Sequence, residues 1–365
     1  MSRIRVLVVD DSAFARKVVR EVLSRDPQID VIGMARDGLE ALEKIASLQP
    51  DVVTLDLTMP ELDGLGVLRG LPQDHRPRIV VVSVSRADSD LAIEALQSGA
   101  VDLVMKPTAL ATDRLYGIAE DLAAKVKSAA EARPLPPLDL GAPAAAARSS
   151  FESARRAAAS AQPAARLVVI GTSTGGPQAL TRLFAALPGD LPVPMAVALH
   201  IPPGYTEPLA ARLSRLGGPP IVEARDGQVI YPGEAVIAPG GKHLRVRRSA
   251  DRFIAEVSRE PVDSLHHPSV DVLFESAAAH AGSAALAMIL TGMGSDGLLG
   301  ARRIRAAGGR ILAESAASCV VYGMPRSVIE AGLADVVAPL DRMAERLVEL
   351  ILERAPAAPE PARPQ

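Results

Sequence analysis

Leu167-Val-Val-Ile-Gly-Thr-Ser-Thr-Gly-Gly176 is the stretch on which the reading of the chain turns. The apolar run Leu167 to Ile170 has the length and β-branched content of a buried strand. Gly171 ends it, Gly175-Gly176-Pro177 follow, and Leu180, Leu183, Phe184 and Leu187 then recur at helical spacing. A strand, a tight Gly-rich turn and a helix put small polar groups at the carboxyl edge of a sheet, facing the amide-rich start of a helix. Ser173 and Thr174 occupy that turn, which offers either a nucleophile or a phosphate cradle.

The phosphate reading lacks its usual parts. A P-loop requires Lys and then Ser or Thr after its last Gly, where Pro177-Gln178 stand. A dinucleotide fingerprint requires Gly where Ser173 stands, so that backbone can approach a pyrophosphate. The hydrolase reading finds partners elsewhere in the chain. Pro194-Met-Ala-Val-Ala-Leu-His200 is an apolar strand ending in a histidine before the rigid turn Ile201-Pro-Pro-Gly-Tyr205. Leu286-Ala-Met-Ile-Leu290 is another buried strand, opening into Thr291-Gly-Met-Gly-Ser-Asp-Gly297. Ser173, His200 and Asp296 therefore fall at three strand ends. A serine needs an imidazole to take its proton and a carboxylate to orient that imidazole. Taken singly, each has an ordinary explanation as a cap or turn residue.

Upstream, apolar runs at Val6–Val9, Val31–Met34, Val52–Leu55, Ile79–Val82 and Leu103–Met105 alternate with helical stretches. That alternation predicts a doubly wound α/β domain with a parallel sheet. Asp10 and Asp11 follow the first strand, Asp56 the third, Ser83 the fourth and Lys106-Pro107 the fifth. These five side chains are expected to converge in one crevice. Three carboxylates together repel unless a cation joins them, and hard oxygen ligands suit Mg²⁺. Lys106 then supplies a mobile positive charge and Ser83 a hydroxyl donor to a bound anion.

With 365 residues, two domains are the natural division, and 48% apolar residues allow each a core. A net charge of −3 and 23% charged residues point to neither a nucleic-acid nor a membrane partner. Cys319 is the single cysteine, which excludes an internal disulfide. The start runs directly into a strand, leaving no room for a signal peptide, and no apolar run reaches spanning length. The expectation is a soluble protein of a reducing, cytoplasmic compartment. Its units are residues 1–126, an Ala/Pro-rich tether at 127–165 with a helical piece near Phe151 to Ala159, residues 166–353, and a disordered tail at 354–365. Pieces around Ala235–Ala238, Leu244–Arg247 and Phe253–Val257 suggest a hairpin-like insertion. His266-His267 lack a further ligand cluster for a metal, His243 after a Gly-Gly turn suggests a surface or pocket-rim position, and Cys319 suggests a packing residue.

Residues 5–126 resemble a response-regulator receiver domain, through Asp10-Asp11, Leu55-Asp-Leu-Thr-Met-Pro60 with Asp63-Gly64, Ser83 and Lys106-Pro107. That resemblance implies a flavodoxin-like fold, Asp56 as phosphoacceptor from a histidine kinase, Mg²⁺ at Asp10, Asp11 and Asp56, and phosphoryl contacts from Ser83 and Lys106. Leu103 stands where many receivers carry an aromatic residue. Residues 166–353 resemble the catalytic domain of the chemotaxis protein-glutamate methylesterase family, CheB. The resemblance rests on Gly171–Gly176, His200–Tyr205, Ala238-Pro-Gly-Gly-Lys-His243, Pro268-Ser-Val-Asp271, Leu290–Gly297 and Cys319-Val-Val-Tyr-Gly-Met-Pro-Arg326. It implies a Rossmann-like esterase domain with Ser173 as nucleophile, His200 as base, Asp296 as orienter and the Met293 amide as oxyanion donor. No cofactor is expected in this domain. The implied substrates are methyl-accepting chemoreceptors, demethylated to release methanol and deamidated at glutamines. Thr172 stands where Ala is frequent, and Glu314-Ser315 where Gln-Asp is frequent, the latter expected to lie away from the triad. Two alternatives remain beside this reading: a phosphorylation-switched binding module and a nucleotide-binding regulator.

Overall fold

The computed structural model describes residues 3–72, 75–83, 89–106, 112–133, 135 and 166–353, the side chains of 112–119 excepted. The helical piece expected near Phe151 to Ala159, the bulk of the tether and the tail at 354–365 lie outside the described residues.

The first unit is a parallel sheet in the order β2-β1-β3-β4-β5, formed by Ile4–Val9 (β1), Ile29–Ala35 (β2), Val52–Leu55 (β3), Arg78–Ser83 (β4) and Asp102–Met105 (β5). Val52, Val53, Val80 and Val81 have no exposed surface. Burial on both faces explains why these strands read as continuous apolar runs and not as alternation. Helices Ala13–Leu23 (α1), Gly38–Leu48 (α2), Gly64–Gly70 (α3), Ser89–Gln97 (α4) and Thr112–Glu131 (α5) cover the faces. Ser12, Asp37 and Asp63 cap the first three by accepting from Ala15, Glu40 and Gly66 amides. Helix α5 runs to Glu131, past the boundary expected at residue 126. Leu122, Val126 and Ala129 continue one buried face at helical spacing, so the composition shift does not end the helix.

The second unit is a seven-stranded sheet in the order β15-β14-β13-β6-β7-β10-β8. Its strands are Leu167–Thr172 (β6), Met195–Leu199 (β7), Ile221–Glu223 (β8), Ala235–Ile237 (β10), Ala285–Ile289 (β13), Arg310–Glu314 (β14) and Val336–Ala338 (β15), all paired in parallel. Val229–Ile230 (β9), His243–Ser249 (β11) and Arg252–Ser258 (β12) make a separate antiparallel sheet. The expected insertion is thus only partly correct. Leu244–Arg247 and Phe253–Val257 form the hairpin, whereas Ala235–Ile237 belongs to the main sheet beside β7. Strands β8, β9 and β15, of three, two and three residues, carry too few positions for a period, and β14 holds only the three apolar residues Ile311 to Ala313 between Arg310 and Glu314. Helices Gly176–Ala186 (α6), Thr206–Ser214 (α7), Val270–Ala281 (α8), Leu298–Ala306 (α9), Met324–Glu330 (α10) and Leu340–Leu352 (α11) complete the layers. Among the described residues no helix is long and apolar enough to cross a membrane.

The two units are packed together. One apolar cluster includes Ile93, Leu96 and Ala100 of the first unit and Ala179, Leu180 and Leu183 of the second. Polar contacts border it: Gln178 Nε2 donates to the Ala100 carbonyl at 2.8 Å, Arg212 Nη1 to Gln97 Oε1 at 3.0 Å, and the Arg133 amide to the Val320 carbonyl at 2.9 Å.

At the end of β6 the sheet and α8 touch with no space for a side chain. A Cβ at Gly171 would lie 2.2 Å from Val270 Cγ1. Gly171→Ala is therefore expected to destabilise the fold by about 1–3 kcal/mol, since overpacking displaces a helix that cannot yield locally. Urea unfolding of wild type and variant measures it, and equal midpoints would refute this account.

Candidate active site

Strands β13, β6 and β7 are neighbours at the centre of the larger sheet. The chain moves from β6 to β7 on one side and later returns to place β13 on the other, so β6 marks a topological switch point, where a crevice opens. Ser173 follows β6, His200 follows β7, and Asp296 lies in the turn after β13. Chain separations of 27 and 96 residues close to hydrogen-bond distance: Ser173 Oγ is 3.1 Å from His200 Nδ1, and His200 Nε2 is 2.7 Å from Asp296 Oδ2. Proton bookkeeping then assigns Nε2–H as donor to Asp296 and leaves Nδ1 to accept from the serine hydroxyl.

Asp296 is held from its other side by the start of α8. The Val270 amide donates to Oδ2 at 2.7 Å, the Asp271 amide to Oδ1 at 2.9 Å and the Ser269 hydroxyl to Oδ1 at 3.0 Å. Burial opposes the carboxylate, but the His200 hydrogen bond and charge, with these amides, hold its pKa well below the usual range. Asp271 shows the opposite shift. Burial and then the Asp296 charge raise it to about 6, against the Gly300 amide that donates to it at 2.7 Å. The His266 ring stacks on His200, centroid to centroid 4.1 Å, and its pKa falls to about 4 because of burial and the His200 charge.

The turn after β13 also approaches the serine. A Cβ at Gly292 would sit 2.8 Å from Ser173 Cβ, so only glycine lets the two turns approach this closely at the residue before Met293. Two amides of the Gly-rich turn that could face a phosphate are engaged elsewhere: Gly175 N–H donates to the Val101 carbonyl at 3.2 Å and Gly176 N–H to the Ser173 carbonyl at 2.7 Å. What remains is a hydroxyl, a ring nitrogen able to take its proton, and an anion behind the ring, which is the equipment of acyl transfer.

In the smaller sheet, Asp10, Asp11 and Asp56 offer oxygens within 4.8 Å of one another, the one such grouping of ligating side chains among the described residues. Lys106 Nζ lies 2.7 Å from both Asp10 Oδ2 and Asp56 Oδ2. It is 7% exposed, so it is pinned and not mobile as the sequence suggested. Burial alone would lower the Lys106 pKa, but its hydrogen bonds to the two aspartates raise it. Burial raises Asp56, which Lys106 only partly offsets. Ser83 Oγ is buried with no hydrogen-bond partner among the described residues. All-oxygen donors and an orphaned hydroxyl fit a small hard cation with a phosphoryl group beside it.

The CheB methylesterase family profile matches residues 168–347, and the response-regulator receiver profile matches residues 6–116. The chain is 56% identical over 349 residues to protein-glutamate methylesterase/protein-glutamine glutaminase 5 of Myxococcus xanthus (strain DK1622), covering 94% of this chain and 97% of that protein. The chain belongs to the CheB methylesterase family. A protein-glutamate methylesterase/protein-glutamine glutaminase of Geobacillus kaustophilus (strain HTA426) is 45% identical over 356 residues, covering 97% of this chain and all of that protein. The crystal structure of the Thermotoga maritima CheB methylesterase catalytic domain matches with TM-score 0.50 at 41% identity, covering 51% of this chain and 99% of that one.

Within this CheB-family chain, the structure corrects two further sequence expectations. His243 is fully buried and not at a rim: Nδ1 accepts from the Ser269 amide at 3.2 Å, and Nε2 donates to the Pro261 carbonyl at 3.1 Å. It braces the cap residue of the helix that holds Asp296. Glu314 is not remote from the triad. It is fully buried, and Oε2 accepts from the Thr291 amide at 2.8 Å, in the turn that flanks Ser173. Cys319 is buried, as expected of a packing residue. The sequence marks His266 only as a neighbour of His267 without a further ligand cluster, and no short-range pattern marks a ring that stacks on another 66 residues away.

Asp271 makes stability depend on pH in a definite direction. Its folded pKa of about 6 exceeds the ordinary 3.8, so its favourable contribution is present below 3.8 and lost as pH rises through 6. Asp271→Asn removes that dependence, and its thermal midpoint should gain on wild type between pH 4 and pH 7. Parallel midpoint curves for the two proteins would contradict the assignment.

Proposed function

We propose that the chain is a phosphorylation-activated protein-glutamate methylesterase and protein-glutamine deamidase acting on chemoreceptors. The observation that carries the reading is the hydrogen-bonded series Ser173, His200, Asp296 across three adjacent strand ends. Ser173 Oγ attacks the carbonyl of a γ-glutamyl methyl ester while His200 Nδ1 takes its proton. Asp296 stabilises the imidazolium that results. The Met293 amide, brought beside Ser173 by Gly292, receives the developing oxyanion. His200 returns the proton to the leaving methoxide, releasing methanol and a glutamyl–Ser173 ester. Water, deprotonated by His200, then frees glutamate. With a glutamine side chain the same steps release ammonia.

Regulation resides in the receiver unit. Asp56 attacks the phosphorus of a phosphohistidine on a chemosensory histidine kinase; the N–P bond breaks and an acyl phosphate forms. Mg²⁺ held by Asp10, Asp11 and Asp56 would supply positive charge against the phosphoryl oxygens, while Lys106 and Ser83 contact them from the protein side. Before phosphorylation the receiver lies against the nucleophile turn. Thr174 Oγ1 donates to Asp102 Oδ2 at 2.5 Å, and a cavity of about 450 Å³ is lined by Lys127 and Glu131 on one side and by Met293 and Tyr322 on the other. On this reading the contact covers the turn that carries Ser173, and phosphorylation activates by releasing it. A cytoplasmic location follows from such a substrate and such a phosphodonor.

Methanol release from methylated receptors in vesicles, with and without a small-molecule phosphodonor, tests both parts. Ser173→Ala should lower the rate at least about a thousandfold. Asp56→Asn should keep the unstimulated rate and lose the response to phosphodonor. A Ser173→Ala protein that still releases methanol would end the esterase reading, and an Asp56→Asn protein that still responds would end the regulatory one.

A further inference from the structure

We propose that Thr291, held by the buried Glu314, is a positioning residue that sets the nucleophile turn at Ser173 against the turn carrying the Met293 amide. The proposal rests on the reading of Ser173 as nucleophile and Met293 N–H as oxyanion donor. Thr291 lies just beyond β13 and has no exposed surface. All of its polar atoms are used, and they tie its turn to residues 172–174, to Glu314 and to Val321.

Its carbonyl accepts from the amide of Ser173 itself at 3.0 Å and from Thr172 Oγ1 at 2.7 Å. Its hydroxyl accepts from the Val321 amide at 2.9 Å, and its single proton goes to the Thr174 carbonyl at 3.0 Å or the Val321 carbonyl at 3.2 Å. Both neighbours of the nucleophile are therefore bonded to one residue. The Thr291 amide donates to Glu314 Oε2 at 2.8 Å, and the other carboxyl oxygen accepts from Ser318 Oγ at 2.9 Å. Ser318 Oγ in turn accepts from the Leu340 amide at 2.8 Å, which ties the group to the start of α11. Gly292, the next residue, packs on Ser173 and accepts at its carbonyl from the Gly323 and Met324 amides at 3.0 and 2.9 Å.

The consequence is a fixed separation between the attacking oxygen and the amide that receives the oxyanion. Such a pair must be held to within a fraction of an ångström, because stabilisation is gained only where charge develops. Thr291→Val keeps the volume and β-branching but leaves the buried Thr174 carbonyl and the half-buried Val321 amide without their hydroxyl partner. The turns then relax apart while Ser173, His200 and Asp296 keep their own bonds.

The test uses the full chain with saturating phosphodonor and two readouts. One is methanol release from methylated receptors; the other is the rate at which a fluorophosphonate labels Ser173, which needs the serine and the oxyanion donor but no receptor. Thr291→Val should lower kcat and the labelling rate together by about ten- to a hundredfold, with KM within twofold and the pH profile of labelling unmoved, because His200 is untouched. Thr291→Ser, which keeps the hydroxyl, should recover most of both rates. The proposal is overturned if folded Thr291→Val labels and turns over within about threefold of wild type, or if Thr291→Ser is as slow as Thr291→Val. Should Thr291→Val fail to fold, Glu314→Gln against Glu314→Met makes the same comparison: the amide keeps an acceptor for Thr291 N–H and the thioether chain does not, and equal rates overturn the idea. Wild-type labelling without methanol release would overturn the substrate reading alone. No labelling at Ser173 would overturn both.

Discussion

The Asp296 carboxylate takes hydrogen bonds from the His200 ring, the Ser269 hydroxyl and the Val270 and Asp271 amides at the start of α8. A helix start presents unsatisfied amides and partial positive charge, so an anion there is stabilised without a counter-ion. The same bonds settle its orientation, and through it the ring of His200, whose second nitrogen then faces Ser173. His266 stacked on that ring and His243 under the Ser269 cap leave the assembly little freedom. The helix reaches this position only because Gly171 lets it press directly on β6. The line of hydrogen bonds from Asp296 to Ser173 thus depends on the packing of one helix against one strand.

A second concentration of charge lies in the receiver unit and is balanced differently. There the carboxylates of Asp10 and Asp56 share one buried lysine, Lys106, which limits their repulsion without removing it. Lys106 directly follows β5, and Asp102 begins it. The residue that touches Asp56 and the residue that touches Thr174, beside Ser173, are thus about 13 Å apart along one short strand. Lys125 of α5 reaches back to the same strand, bonding the Leu103 carbonyl at 2.7 Å and Asp102 at 3.2 Å. Leu103 itself is buried in that strand with 1% exposure, where its side chain packs without a polar atom to satisfy.

Much of this arrangement was legible in the linear chain. Continuous apolar runs separated by helical spacing announce parallel sheets buried on both faces, and polar residues at the ends of those runs announce the crevices. Asp10, Asp56 and Lys106 meet as the rule for strand ends requires, and so do Ser173, His200 and Asp296. The less legible parts share a cause. Ala235–Ile237 is three residues long, and nothing in it distinguishes a sheet strand from a hairpin arm. Helix α5 runs past residue 126 because Ala129 goes on packing in the cluster that holds Leu122 and Val126.

What the residues determined by themselves is therefore the fold class, the alternation of the longer strands and helices, and the residue types delivered to the ends of those strands, because these depend on local period and on chain-wide rules of connection. Tertiary structure alone decided the neighbours. That Glu314 bonds Thr291, that Thr291 bonds Ser173 and that His266 covers His200 follow from the order in which strands lie in the sheet and the way loops fold over their ends. A hydrogen bond acts over about 3 Å and is indifferent to separation along the chain. Partners 23, 66 or 118 residues apart consequently leave no periodic trace in the sequence, and only the packed structure identifies them.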